Sequence, residues 1–179
     1  MDVDAEGLVR DATQVPSLNR DERQTGENVT LLVIHSISLP PGDFGGPGVG
    51  HLFTNALDCG QHPYFSSLQG LKVSAHFFIR RDGSLLQFVP VHLRAWHAGE
   101  SIWKTRSRCN DFSIGVELEG MDDQPFAAAQ YLILARLTTA LKRRYPIADI
   151  VGHADIAPER KTDPGPFFDW PYYRALLAS

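Results

Sequence analysis

The chain has 179 residues, 43% of them hydrophobic and 21% charged, with a formal net charge of −4. That length supports a single domain, 1–179, with a sizeable core, and the acidic balance argues against a nucleic-acid binder or a protein drawn to anionic lipid. No run approaches the roughly 20 apolar residues of a membrane helix, and two cysteines, Cys59 and Cys109, make no disulfide framework.

Residues 1–29 are polar and lack periodicity, so a mostly irregular arm is expected. Their acidic start has no apolar core and does not read as a secretory signal, which makes the cytoplasm the expected compartment. Leu31–His35 is apolar without alternation up to its histidine, the pattern of a central strand covered on both faces. A Gly- and Pro-rich loop follows, then a short helix over Val49–Leu57 and a second loop over residues 58–70. So much irregular chain between two strands predicts a functional loop. Val73–Arg80 and Leu85–Val89 flank Arg81-Asp82-Gly83-Ser84, and Asp-Gly predicts an antiparallel hairpin. Ser113–Glu119 alternates, with Ile114, Val116 and Leu118 on one face and Gly115, Glu117 and Glu119 on the other. Residues 126–144 show helical spacing, with Tyr131, Leu134, Leu137 and Leu141 on one stripe and Tyr145-Pro146 as the stop. Asp149–Val151 reads as a short strand and Trp170–Leu177 as a last helix. Interleaved strands and helices predict an α/β (α+β) fold, one mixed sheet flanked by helices.

The segment Gly152–Pro166 carries the strongest chemical signal. Pro158, Pro164 and Pro166 stiffen a loop that holds His153, Lys161 and Asp163. His153 follows a short strand, and His35 follows another at the start of a Gly/Pro-rich loop, where open α/β sheets place ligands. Taken singly, each histidine is more often structural, and Asp163 before Pro164 is more often a turn residue. Taken together, two His and one carboxylate give a catalytic zinc its three protein ligands and leave one position for water. Several divalent ions suit such donors. Lys161 either stabilises an oxyanion or is a solvated loop lysine. Glu117, mid-strand among apolar residues, needs a partner or a cleft and is a candidate general base. Glu119, nearer the strand end, is expected to be exposed. Lys104, Arg106 and Arg108 would share one side of an extended segment, either to meet an acidic ligand or as a solvated basic loop. Trp96, in Trp96-His97-Ala98-Gly99, fits a sugar platform or the core. His76 reads as structural, and the cysteines as small buried hydrophobes.

Val33-Ile34-His35, Ser74-Ala75-His76, Arg94-Ala95-Trp96-His97-Ala98-Gly99, the stretch Cys109–Gly120 and the stretch Gly152–Gly165 together resemble the AmpD-type anhydro-N-acetylmuramyl-L-alanine amidases. The likeness covers about residues 7–177 and reaches, in the wider fold group, phage amidase lysozymes and peptidoglycan recognition proteins. It implies an N-acetylmuramoyl-L-alanine amidase-like fold and a cytoplasmic zinc amidase of peptidoglycan recycling. Its substrate would be an anhydro-muropeptide, cut between the lactyl group and L-alanine; one zinc ion, a monomer, and no nucleic-acid or membrane partner are expected. By the resemblance, His35, His153 and Asp163 fall on the zinc positions, and Glu117 and Lys161 on the catalytic ones. Ser36, Lys72, Trp96 and Arg108 fall on or near substrate-contacting positions. Two departures stand out. Ser36 occupies a position usually held by Asn and offers one hydroxyl in place of an amide. Ala75 stands where related amidases carry a catalytic Tyr, which leaves the base to Glu117. A binding module that holds muropeptide without cutting it is the competing reading.

Overall fold

In the computed structural model, which describes residues 1–179, a six-stranded mixed sheet runs through the middle of the fold. In chain order the elements are β1 (Thr13–Gln14), β2 (Arg20–Glu22), β3 (Leu31–Ile37), α1 (Gly48–Phe53), α2 (Pro63–Ser66), β4 (Phe77–Ile79), β5 (Leu85–Gln87), β6 (Leu93–Ala95), β7 (Ile102–Trp103), β8 (Arg106–Ser107), β9 (Ser113–Glu119), α3 (Ala128–Arg144), β10 (Asp149–Gly152), α4 (His153–Ile156) and α5 (Trp170–Ala178). The main sheet has the order β1-β5-β4-β9-β3-β10. Its β4, β9, β3 and β10 are mutually parallel, and β5 joins β4 antiparallel.

The unbroken apolar run of β3 is buried on both faces, as its pattern requires. Leu32 and Ile34 pack with Ile114, Val116 and Leu118 of β9 and with the Leu134, Leu137 and Leu141 stripe of α3. Leu31 and Val33 face the other way, into a smaller cluster with Ala98, Cys109, Phe112 and Val151. The α3 helix starts two residues later than its periodicity suggests. Gln130 explains the start: its Oε1 accepts from the Ala127 N–H at 3.0 Å, while its Nε2 donates to the Ile79 and Glu119 carbonyls at 3.1 and 3.0 Å. The helix stops at Tyr145, which is extended ahead of Pro146. The Asp-Gly turn forms as expected, with Gly83 at φ +87° and Asp82 Oδ1 accepting from the Ser84 N–H at 2.8 Å. The strand before it is shorter than Val73–Arg80, because at Ser74 the chain turns to bond the Trp96 carbonyl.

The first 29 residues contribute two short strands, β1 against β5 and β2 against β6. Arg23 then enters the interior and donates to the carbonyls of Asn110, Asp111 and Ser113 at 3.0, 2.9 and 2.8 Å. Burial lowers its guanidinium to about 10. No helix is long and apolar enough to cross a membrane.

Core packing makes a direct prediction. Leu134 is wholly buried and Leu132, on the opposite side of the same helix, is 49% exposed. Leu134→Ala should lower the unfolding free energy by about 2–5 kcal/mol, and Leu132→Ala should change it by about 0.5 kcal/mol or less. Urea unfolding followed by circular dichroism measures both, and similar midpoints for the two variants would contradict this packing.

Candidate active site

Three parallel strands end side by side at one edge of the sheet. In the register of β3 against β9, His35 stands beside Glu117. In the register of β10 against β3, Gly152 stands beside Ile34, so His153 arrives next to His35. The loop after α4 then returns Asp163 to both histidines. Gly152 permits that return, since a Cβ there would meet Pro164 Cδ at 2.8 Å.

The three donors converge closely. His35 Nδ1 lies 2.9 Å from His153 Nδ1 and 3.2 Å from Asp163 Oδ2, and His153 Nδ1 lies 3.1 Å from Asp163 Oδ2. Around a tetrahedral ion with bonds of about 2.0–2.1 Å, neighbouring donors stand about 3.3 Å apart. The observed triangle is within a few tenths of an ångström of that figure. Proton placement makes the fit stronger. His153 Nε2 lies 3.2 Å from the Ala98 carbonyl, which only accepts, so the ring proton sits on Nε2. His153 Nδ1 therefore turns a lone pair toward a carboxylate oxygen. Without a cation between them that contact is repulsive, so the donor set suits a divalent metal.

Electrostatics agree. Burial lowers the His35 imidazole to about 4 and keeps it neutral, as a metal ligand must be. Glu117 moves the other way. Burial first, and the Asp163 charge second, push its carboxyl well above the ordinary value, with Lys161 opposing. Its Oε2 is buried and has no hydrogen-bond partner.

A cleft of ≈ 630 Å³ at the site is lined by Glu117, His153, Asp163 and Lys161. Ser36, Trp96, Tyr64, Leu68 and Leu71 also line it. Trp96 presents a buried indole Nε1–H with no partner. Ser36 Oγ donates to Asp122 Oδ1 at 2.8 Å, and the Thr162 hydroxyl donates to the other oxygen of Asp122. Lys72 lines a smaller hollow that shares Leu52, Leu68 and Leu71 with the cleft. Arg108 is not among the cleft residues; it is 67% exposed and pairs with Asp111 at 3.0 Å.

Three readings are refined by this geometry. The stretch of Lys104, Arg106 and Arg108 is not evenly extended, because Lys104 (φ +55°) and Arg108 (φ +61°) adopt left-handed backbone, and of its two readings the solvated basic loop holds, since all three side chains are exposed. They pair separately, with Asp149, Glu27 and Asp111. Glu119 is buried, not exposed: it accepts from the Gly45 N–H at 2.7 Å and the Arg81 N–H at 3.0 Å, and it pairs with Arg80. His97, read only as part of an aromatic platform, lies 2.9 Å from His35. Asp122 and Tyr64 carried no signal in the sequence.

The unpartnered Glu117 predicts a gain on neutralisation. Its folded pKa lies above the unfolded value of 4.5, so the folded chain binds the extra proton and stability falls as pH rises from that value toward the folded one. In chelator-treated protein, Glu117→Gln should raise the melting temperature at neutral pH, by about 2–4 °C for each kcal/mol relieved. The difference should vanish below about pH 4, where the group is protonated in both states. An unchanged or lowered melting temperature at neutral pH would refute the strain.

Comparison with known proteins places the chain. The family model for N-acetylmuramoyl-L-alanine amidase matches residues 25–166. The 1,6-anhydro-N-acetylmuramyl-L-alanine amidase AmpD of Citrobacter freundii is 55% identical over 174 residues, covering 96% of this chain and 93% of that protein. A crystal structure of an AmpD selenomethionine derivative superposes with a TM-score of 0.96 at 56% identity, covering 99% of each chain. A complex of the E. coli amidase AmiD with the substrate anhydro-N-acetylmuramic acid-L-Ala-D-gamma-Glu-L-Lys has a TM-score of 0.64 at 31% identity, covering 87% of this chain and 60% of that one. The chain belongs to the N-acetylmuramoyl-L-alanine amidase family and, within it, to the AmpD type.

Proposed function

We propose that residues 1–179 act as one monomeric, cytoplasmic amidase domain, dependent on a single zinc ion, that serves peptidoglycan recycling. It hydrolyses the amide between the lactyl group of anhydro-N-acetylmuramic acid and L-alanine in anhydro-muropeptides. One observation carries the reading: the donor atoms of His35, His153 and Asp163 converge, and His153, Asp163 and an unpartnered Glu117 line one cleft. The related AmiD, in complex with an anhydro-muramyl peptide, supports the substrate class.

His35, His153 and Asp163 would hold the zinc, which when bound supplies Lewis acidity to an amide carbonyl and makes water a better acid. Glu117 takes a proton from the attacking water. Its raised pKa suits it to pass that proton to the departing amine of L-alanine as the C–N bond breaks. Lys161, which lines the same cleft, would supply an ammonium to the negative charge developing on the carbonyl oxygen. Trp96 lines the cleft and would contact the sugar with its ring. Because Ser36 spends its proton on Asp122, it meets substrate as an acceptor only, where an Asn would both donate and accept. Lys72, in the adjoining hollow, would attract a carboxylate of the stem peptide. The family likeness gives Arg108 the same task, for which its guanidinium has to leave Asp111.

The test follows release of free peptide from anhydro-muropeptide. Glu117→Ala and Asp163→Ala should each lose about 10²-fold or more in turnover. Asp163→Ala should also lose bound zinc, whereas Glu117→Ala should keep it. Wild-type turnover by either variant in metal-free buffer would remove the proposal. Trp96→Ala, which removes the ring from the cleft, should raise KM more than it lowers kcat.

A further inference from the structure

The geometry points to the dipeptide His97-Ala98 as a bracket that fixes the proton position and ring direction of both metal-binding imidazoles, with His97 acting as a positioning residue. This inference rests on the reading of His35, His153 and Asp163 as metal donors.

The two ligand histidines come from different elements, His35 from β3 and His153 from the start of α4, yet one short segment grips the far side of both rings. The His97 side chain holds His35: its Nδ1 lies 2.9 Å from His35 Nε2, and its Nε2 lies 3.0 Å from Ser113 Oγ. The Ala98 carbonyl holds His153, 3.2 Å from its Nε2. With His35 Nδ1 turned to the donors' meeting point, His35 carries its proton on Nε2 and donates it to His97 Nδ1. His97 then carries its own proton on Nε2 and donates it to Ser113 Oγ. Each proton has one place, and no ring needs a charge.

The segment is itself clamped. Asn110 Oδ1 accepts from the backbone N–H groups of His97 and Ala98 at 3.1 and 2.8 Å. Arg160 donates to the Ala98 and Glu100 carbonyls, each at 2.7 Å. Strand β9 makes room for the ring with Gly115, where any Cβ would overlap the imidazole of His97. A glycine in mid-strand weakens a sheet and marks a close approach; here the approaching group is His97.

Partners of this kind typically contribute 10–100-fold to metal affinity. Zinc affinity is measured on the full chain by competition with a colorimetric chelator, and folding of each metal-free variant by its melting temperature. His97→Leu should bind zinc about 10–100-fold more weakly. His97→Asn, whose Oδ1 overlies Nδ1 and keeps the acceptor for His35, should recover most of that loss. Unchanged affinity in a folded His97→Leu protein would overturn the inference, as would a folded His97→Asn protein no tighter than His97→Leu. Where His97→Leu fails to fold, Asn110→Ala decides: it loosens the bracket from behind and should weaken zinc binding, and unchanged affinity would overturn the inference. Failure of the unaltered protein to bind zinc would instead remove the metal reading, and this inference with it.

Discussion

Three electron-rich atoms held about 3 Å apart inside a protein repel one another, and the rest of this structure is arranged around that fact. His35, His153 and Asp163 are 1%, 3% and 8% exposed, so water cannot screen them. Only a proton or a metal ion relieves the repulsion, and the Ala98 carbonyl removes the proton option at His153 by drawing its hydrogen to the opposite nitrogen. The sheet tolerates this because its central strands are packed on both faces by apolar side chains. Rigid surroundings can hold donors in an unfavourable arrangement that an open loop would relax.

Glu117 and Glu119 show how one strand separates chemistry from construction. They share a face, two residues apart, and both are buried. Glu119 is surrounded by donors from the Gly45 and Arg81 backbone and from Arg80, and so ties the loop after β3 to the hairpin. Glu117 is left with an oxygen that has no partner. The first stabilises the fold; the second is kept basic and available at a cost in stability, the usual bargain of an active site.

Features set by local pattern were legible in the sequence. The buried run of β3, the alternation of β9, the Asp-Gly turn and the α3 stripe each follow from periodicity or turn chemistry, and their parallel registry puts His35, Glu117 and His153 in a row. Features set by backbone conformation or by contacts across the fold were not. Alternating Lys104, Arg106 and Arg108 suggested one basic side, but left-handed residues at 104 and 108 send them to three different acids. The burial of Glu119 depends on a loop 74 residues away that supplies the Gly45 N–H. The pairing of His97 with His35 joins residues 62 apart, and the clue that could have exposed it was Gly115, a small residue in a strand that otherwise wanted bulk.

The distances along the chain between the donors also bear on how the molecule matures. His35 and His153 are 118 residues apart, and only His153 and Asp163 are near neighbours. Bringing the remote pair together requires β3 and β10 to have paired first, and closing so long a loop is entropically costly. Unlike short ligand-spaced fingers that metal itself folds, this chain must finish its sheet before it offers a complete coordination sphere. A metal held by these donors would therefore be taken up only by molecules whose sheet is assembled, leaving misfolded copies empty.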